Sequence, residues 1–143
     1  MQIALGADEN TAVIDAIASE LQARGHRVER FGRAAGLEEV WGPTALRVAE
    51  AVASGQADRG VVCCWTGTGV SIAANKVAGV RAALCVDAET ARGARRWNDA
   101  NVLALSLRLT SEAVAKEILS AFLDEPYGQS EAESLAAIAN AER

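Results

Sequence analysis

The stretch of this sequence richest in chemistry is Cys64-Trp65-Thr66-Gly67-Thr68-Gly69-Val70-Ser71-Ile72-Ala73-Ala74-Asn75-Lys76. A cysteine closes an apolar run, a Gly/Thr turn follows, and helix-forming residues begin at once. Glycines let backbone N–H groups converge with no Cβ in the way, and a helix N-terminus adds partial positive charge. Together they make an anion hole suited to a carboxylate, a phosphate or a developing enediolate oxygen. A cysteine beside that positive end is a better base or nucleophile than an isolated thiol. The same residues also make an ordinary tight strand-to-helix turn over an inert cysteine. Spacing alone does not separate the two readings.

Other chemistry is sparse. Three cysteines (Cys63, Cys64, Cys85) are too few for a disulfide framework, and adjacent Cys63-Cys64 matches no usual zinc spacing. With His26 the single histidine, no metal site and no cofactor is expected. Reduced cysteines point to the cytoplasm. The 143 residues carry 14 Lys plus Arg against 19 Asp plus Glu, a net charge of −5 with pI near 4.9. That acidic balance, without a basic run, argues against a nucleic-acid partner or an anionic membrane surface. No apolar run approaches the roughly 20 residues that span a bilayer. The opening Met1-Gln2-Ile3-Ala4-Leu5-Gly6-Ala7-Asp8 has no basic flank and reads as a first strand.

The elements that must position Cys64 follow from the pattern around it. Short apolar runs at 3–7, 27–31, 60–64, 81–85 and 102–105 alternate with helical stretches at 11–24, 44–54, 69–76, 88–96 and 111–123. In the first helix Val13, Ile14, Ile17 and Leu21 share a face; Asn10 or Thr11 caps its start and Gly25 its end. Gly60-Val61-Val62-Cys63-Cys64 is apolar on both faces, the pattern of a parallel strand covered on each side by helices. The fold class expected is α/β: a Rossmann-like three-layer αβα sandwich with a five-stranded parallel sheet. Ligands in such sheets bind at the carboxyl ends of the strands, so the loops after Ala7, Cys64, Cys85 and Leu105 matter most. Residues 1–125 form this domain. Residues 126–143, acidic and alanine-rich with few apolar positions, form a tail helix expected to pack on a partner subunit or else to fray.

The run from Cys64 to Lys76 resembles the signature of the ribose-5-phosphate isomerase B family, which includes the galactose-6-phosphate isomerase subunits. Ile3-Ala4-Leu5-Gly6-Ala7-Asp8, Gly25-His26, the segment from Ala49 to Gly55, that from Gly79 to Cys85 and that from Asn98 to Leu105 carry the resemblance further, over residues 1 to about 125. It implies a homodimer or dimer of dimers with sites at the interface, and a metal-free aldose–ketose isomerase acting on a small sugar or sugar derivative. Position by position, it implies Cys64 as the proton-transferring thiol and Thr66 with the backbone of Gly67, Thr68 and Gly69 as the anion hole. Asp8, Asn98 and Arg108 fall where substrate contacts are expected, with Glu9 and Asp99 as acids beside them. Each also has a plainer reading: Asp8 as a helix cap, Asn98 as a turn residue, Arg108 as a solvated charge.

The chain departs from that family pattern at telling places. Asp8-Glu9-Asn10-Thr11 stands for Asp-His-Ala-Gly, Trp97 for a histidine implied in opening the sugar ring, Trp41 for a tyrosine, and Trp65 for a glycine. The three tryptophans, Trp41, Trp65 and Trp97, are therefore expected to line one pocket beside Cys64. The tail, with Glu131 and Glu133, has no arginine before Arg143 where the family carries cations for phosphate, so a neutral or differently charged substrate is expected and a terminal phosphate disfavoured. The function expected is an aldose–ketose isomerase with Cys64 as base and a substrate changed from ribose 5-phosphate. Ring opening then falls to Asp8, Glu9, Asp99 or water, or the substrate arrives open-chain. The alternative is a non-catalytic sugar or small-metabolite binding protein on the same fold. A nucleotide-binding flavodoxin-like domain is disfavoured, because neither GxGxxG nor a P-loop lysine motif is present.

Overall fold

Apolar runs a strand long alternate with helix-length amphipathic stretches, and the chain folds accordingly. The computed structural model describes residues 1–142. Strand β1 (Gln2–Ala7) leads into α1 (Ala12–Ala23), β2 (Arg27–Gly32), a 3-10 turn (Arg33–Ala35) and α2 (Trp41–Ala53). Then come β3 (Arg59–Cys64), α3 (Thr68–Ala74), β4 (Ala82–Leu84), α4 (Ala88–Asn98), β5 (Val102–Ser106), α5 (Glu112–Asp124) and α6 (Ala132–Ala141). The five strands form one sheet in the order β2-β1-β3-β5-β4, and every pair is parallel. The α/β expectation is met.

Because successive strand residues face opposite ways, each strand feeds two cores. Leu5, Val61, Cys63, Leu103 and Leu105 pack with residues of α1, α4 and α5 on one face. Ala4, Val62, Cys64, Val102 and Ala104 pack with α2 and α3 on the other. The order reverses between β1 and β3, which lie side by side with Ala7 opposite Cys63. That switch opens a crevice outside the carboxyl ends of these two strands. Asp8 and the turn after Cys64 are its two lips.

Helix α2 sits unusually close to the sheet. A methyl group at Gly6 would lie 2.7 Å from Val48 and 2.9 Å from Thr44, and one at Gly60 would lie 2.8 Å from Val48. The glycines accept one row of the helix, so α2 docks where larger residues would hold it off. The helix begins three residues earlier than the pattern predicts. Pro43 falls in its first turn, where the missing N–H has no partner to lose.

The tail helix α6 has no buried residue. Its contacts with the domain include the Glu142 carboxylate, which accepts from the Gly79 amide at 3.0 Å, and just before it Gly128 donates to the Arg96 carbonyl at 2.8 Å. No helix among the described residues is long and apolar enough to cross a membrane.

Candidate active site

The carboxyl end of β3 gathers most of the residues singled out above. Cys63 is wholly buried in the α1/α5 core, whereas Cys64 faces the α2/α3 layer with 5% of its surface open. Gly67 adopts φ 76° and caps α3; a Cβ there would meet the Leu84 side chain at 2.6 Å and the backbone of Leu105 at 2.9 Å. Only glycine fits on both counts. The hydroxyls of Thr66 and Thr68 lie 2.8 Å apart at the exposed rim of this turn. Trp41 lays its indole on Gly69, whose Cβ position is 2.9–3.1 Å from three ring atoms. Trp65 is half exposed, and its carbonyl accepts from the Arg108 amide at 2.9 Å and the Ser106 hydroxyl at 3.0 Å. The β3 turn and the β5 loop are thus tied together. The Arg108 guanidinium has no ion-pair partner among the described residues, whereas Arg33 is held by Glu38 at 2.7 Å.

Burial sets two of the cysteines, Cys63 and Cys85, aside. Burial pushes the Cys63 thiol far above its ordinary range, with the neighbouring Cys64 and Asp8 adding to the effect. Burial also drives Cys85 up to about 11. Both stay protonated and inert at neutral pH. Asp8 is raised as well, first by burial and then by the charge of exposed Glu9. Its Oδ1 is buried without a hydrogen-bond partner, and so is the Thr11 hydroxyl that was expected to cap α1. Two orphaned oxygens at the end of β1 mark polar capacity left for something outside the chain.

The remaining candidates lie at the opposite end of the sheet, which corrects the expectation of one tryptophan-lined pocket within a single chain. Helix α4 leaves the carboxyl end of β4 and, over 11 residues, carries the chain back to the amino end of β5. It delivers Trp97 and Asn98 there. Trp97 packs on Gly93 and, with Asn98, Glu131, Ser134, Leu135 and Ile138, lines a cleft of about 320 Å³ under the tail. A larger cleft of about 710 Å³ adjoins it, with Asn98, Lys76, Arg81 and Glu142 among its walls. Asp99, in the left-handed conformation at φ 45°, is engaged by Arg81 at 3.2 Å and by buried Arg95 at 2.9 Å. Its oxygens are committed to closing α4 onto the sheet. Among the described residues no group of three or more His, Cys, Asp or Glu side chains is placed to hold a metal ion.

A family model described as ribose/galactose isomerase matches residues 3–138. The chain belongs to this family. A D-erythrulose-4-phosphate isomerase of Pectobacterium atrosepticum is 39% identical over 131 residues, covering 89% of this chain and 85% of that one. A galactose-6-phosphate isomerase subunit of Clostridium acetobutylicum is 40% identical over 128 residues, covering 89% and 74%. The solved ribose-5-phosphate isomerase B of Clostridium thermocellum superposes with a TM-score of 0.91 at 40% identity, over 98% of this chain and 96% of that one. This family member is therefore an isomerase on the scaffold of the ribose-5-phosphate isomerase B structures.

Two features of the isomerase were not anticipated from its sequence. Ser106 links the two site loops, donating to Trp65 and accepting from the Leu109 amide at 3.2 Å. A lone hydroxyl closing an otherwise apolar strand was the available signal. The other is the clamp at the start of α2, where the Glu39 carboxylate accepts from Thr44 at 2.8 Å and pairs with Arg47 at 3.2 Å. A threonine set in the apolar stretch Pro43-Thr44-Ala45-Leu46 was the clue there, and the structure buries it fully.

Proposed function

We propose that this protein is an aldose–ketose isomerase in which Cys64 moves a proton between adjacent carbons of the substrate, with each site completed by a second copy of the chain. Cys64, as thiolate, takes the proton from the carbon beside the carbonyl. The resulting enediolate oxygen is held by the amides of residues 67–69, and the Thr66 hydroxyl, 2.8 Å from that of Thr68, relays the proton between the two oxygens. Cys64 then returns its proton to the neighbouring carbon, so atoms and electrons balance without a cofactor. The observation that carries this reading is the placement of Cys64: of three buried thiols, it alone ends a strand at the glycine turn and keeps an opening to solvent.

A second copy accounts for the divided site. Asn98 and Trp97 stand roughly 15 Å of strand away from Cys64 within one chain, at about 3.3 Å per residue. A two-fold dimer brings the amino-end group of one copy against the carboxyl-end group of the other. The tail helix, which has no buried residue, then gains a surface to cover. The substrate is a small sugar phosphate other than ribose 5-phosphate. Arg108 is the unpaired cation at the carboxyl end, and the tail cleft offers Glu131 where a second cation would hold a phosphate more firmly. The indole of Trp97 neither gives nor takes a proton near neutral pH, which suits a sugar that does not need its ring opened.

The test is proton exchange in D₂O followed by NMR, with D-erythrulose 4-phosphate and ribose 5-phosphate as probes. Deuterium should enter at the carbon beside the carbonyl. The rate should fall about 10³-fold in Cys64→Ala while Cys63→Ala stays within a few-fold of wild type. Equal loss in Cys63→Ala with an active Cys64→Ala overturns the assignment. Binding without exchange makes the protein a sugar-binding module instead.

A further inference from the structure

We propose that Trp41 is the specificity-determining residue of this site: a rigid wall that restricts the substrate to short sugars of four carbons in open-chain form. The inference rests on the isomerase reading above and names its substrate class.

Helix α2 is seated on glycines along its length. Trp41, Thr44, Val48 and Val52 follow one another at helical spacing along its sheet-facing row, and a glycine receives each. Gly60 lies under Val48 and Val52, Gly6 under Val48 and Thr44, Gly32 under Thr44, and Gly69 under the Trp41 indole. The helix start is then clamped by Glu39, which holds both Thr44 and Arg47. Trp41 is thus the first residue of an element pinned along its length, and no hinge lies between it and the sheet. Its ring presses on the turn five residues beyond Cys64, with its other side half exposed. In the same turn, the Trp65 backbone is fixed by Ser106 and Arg108. A longer sugar reaching past Gly69 would have to displace the ring or the helix, and packed helices shift reluctantly.

Proton chemistry points the same way. A pentose or hexose spends nearly all its time as a ring, and an imidazole is the group best suited to opening one near neutral pH. The protein's single histidine, His26, lies at the amino end of the sheet, with its Nδ1 2.9 Å from the Met1 amino group. A four-carbon sugar with phosphate on its last oxygen has no free hydroxyl placed to close a five-membered ring. It arrives open, so the site loses nothing by lacking the imidazole.

The experiment compares kcat/KM for D-erythrulose 4-phosphate and ribose 5-phosphate in the full chain and its variants. The wild type should favour the tetrulose by about 100-fold, the scale on which a steric wall discriminates. Trp41→Ala should shrink that ratio at least tenfold and Trp41→Phe by less. Gly69→Ala, which forces a methyl into the indole, should move the ratio too, and Trp41→Ala combined with it should restore the Trp41→Ala value. A purely structural Trp41 would lower Tm and slow both sugars together, leaving the ratio fixed in Ala and Phe variants alike; that result overturns the proposal. So does a wild type that turns over both sugars equally well. Absence of exchange on either sugar in the wild type sinks the isomerase reading and this inference with it, and is distinguishable because no ratio then exists.

Discussion

The two ends of the sheet are built on different principles. At the carboxyl end, Gly67 and Gly69 let backbone and indole approach to distances no other residue allows, and the turn is held by neutral hydrogen bonds from Ser106 and Arg108. At the amino end, charge does the holding: Asp99 gathers Arg81 and Arg95, and Arg96 pairs with Glu125 at 2.7 Å. The first end keeps polar atoms unpartnered at Asp8 and Thr11, while the second spends its carboxylates on structure. Asn98 is the exception at the amino end, exposed and with no hydrogen bond from its side chain among the described residues.

Asn98 is where the division between the two ends is most exposed to test. Asn98→Ala should lose about 10²-fold in kcat/KM although Asn98 is far from Cys64 in its own chain. Mixing inactive Cys64→Ala with inactive Asn98→Ala should restore activity to roughly a quarter of wild type, since half the dimers are mixed and half their sites intact. No recovery after subunit exchange would show that the amino-end group serves no active site. Sedimentation at micromolar concentration should show no stable monomer.

The carboxyl end was legible in the sequence because its signals are local. An apolar run ending in cysteine, two glycines and a helix start occupy one window, and strand alternation alone assigns Cys63 and Cys64 to opposite faces. The sheet itself was legible because its strands are apolar on both sides. Trp97 was misplaced for a topological reason. A helix leaving the carboxyl ends must deliver its last residues to the amino ends, and the 11 residues of α4, at about 1.5 Å each, do so. The start of α2 was missed because Gly42-Pro43 reads as a turn. Strand β4 starts one residue later than expected because the Arg81 amide donates to the Asn101 side chain at 2.8 Å instead of the ladder.

A smaller effect probes the structural role of Asp99. Asp99→Asn keeps a residue that tolerates positive φ but removes the charge facing Arg81 and nearly buried Arg95. With Asp99 itself a third exposed, the loss should be about 2 kcal/mol, seen as a Tm lower by roughly 5–10 °C. Turnover per folded molecule should change little. A stable variant with collapsed activity would instead make Asp99 a substrate contact.

The same substitution at the other end should act in reverse. Burial and the charge of Glu9 raise the Asp8 carboxyl above its ordinary value of 3.8, so the folded state holds this proton more tightly than the unfolded chain. Stability on account of Asp8 is then fully present below pH 3.8 and is lost as pH rises through the folded value. Asp8→Asn carries no charge to penalise. Its Tm should match wild type near pH 3.5 and exceed it at pH 7, by a small margin because the group is only partly buried. Activity should fall at the same time, the mark of a residue kept for its chemistry at the expense of the fold. Thermal melts of both Asn variants across pH 3.5–7.5 make the comparison direct: Asp8→Asn gains where Asp99→Asn loses. If Asp8→Asn melts lower at pH 7, its carboxylate is a structural partner after all, and the two ends of the sheet are not divided as drawn.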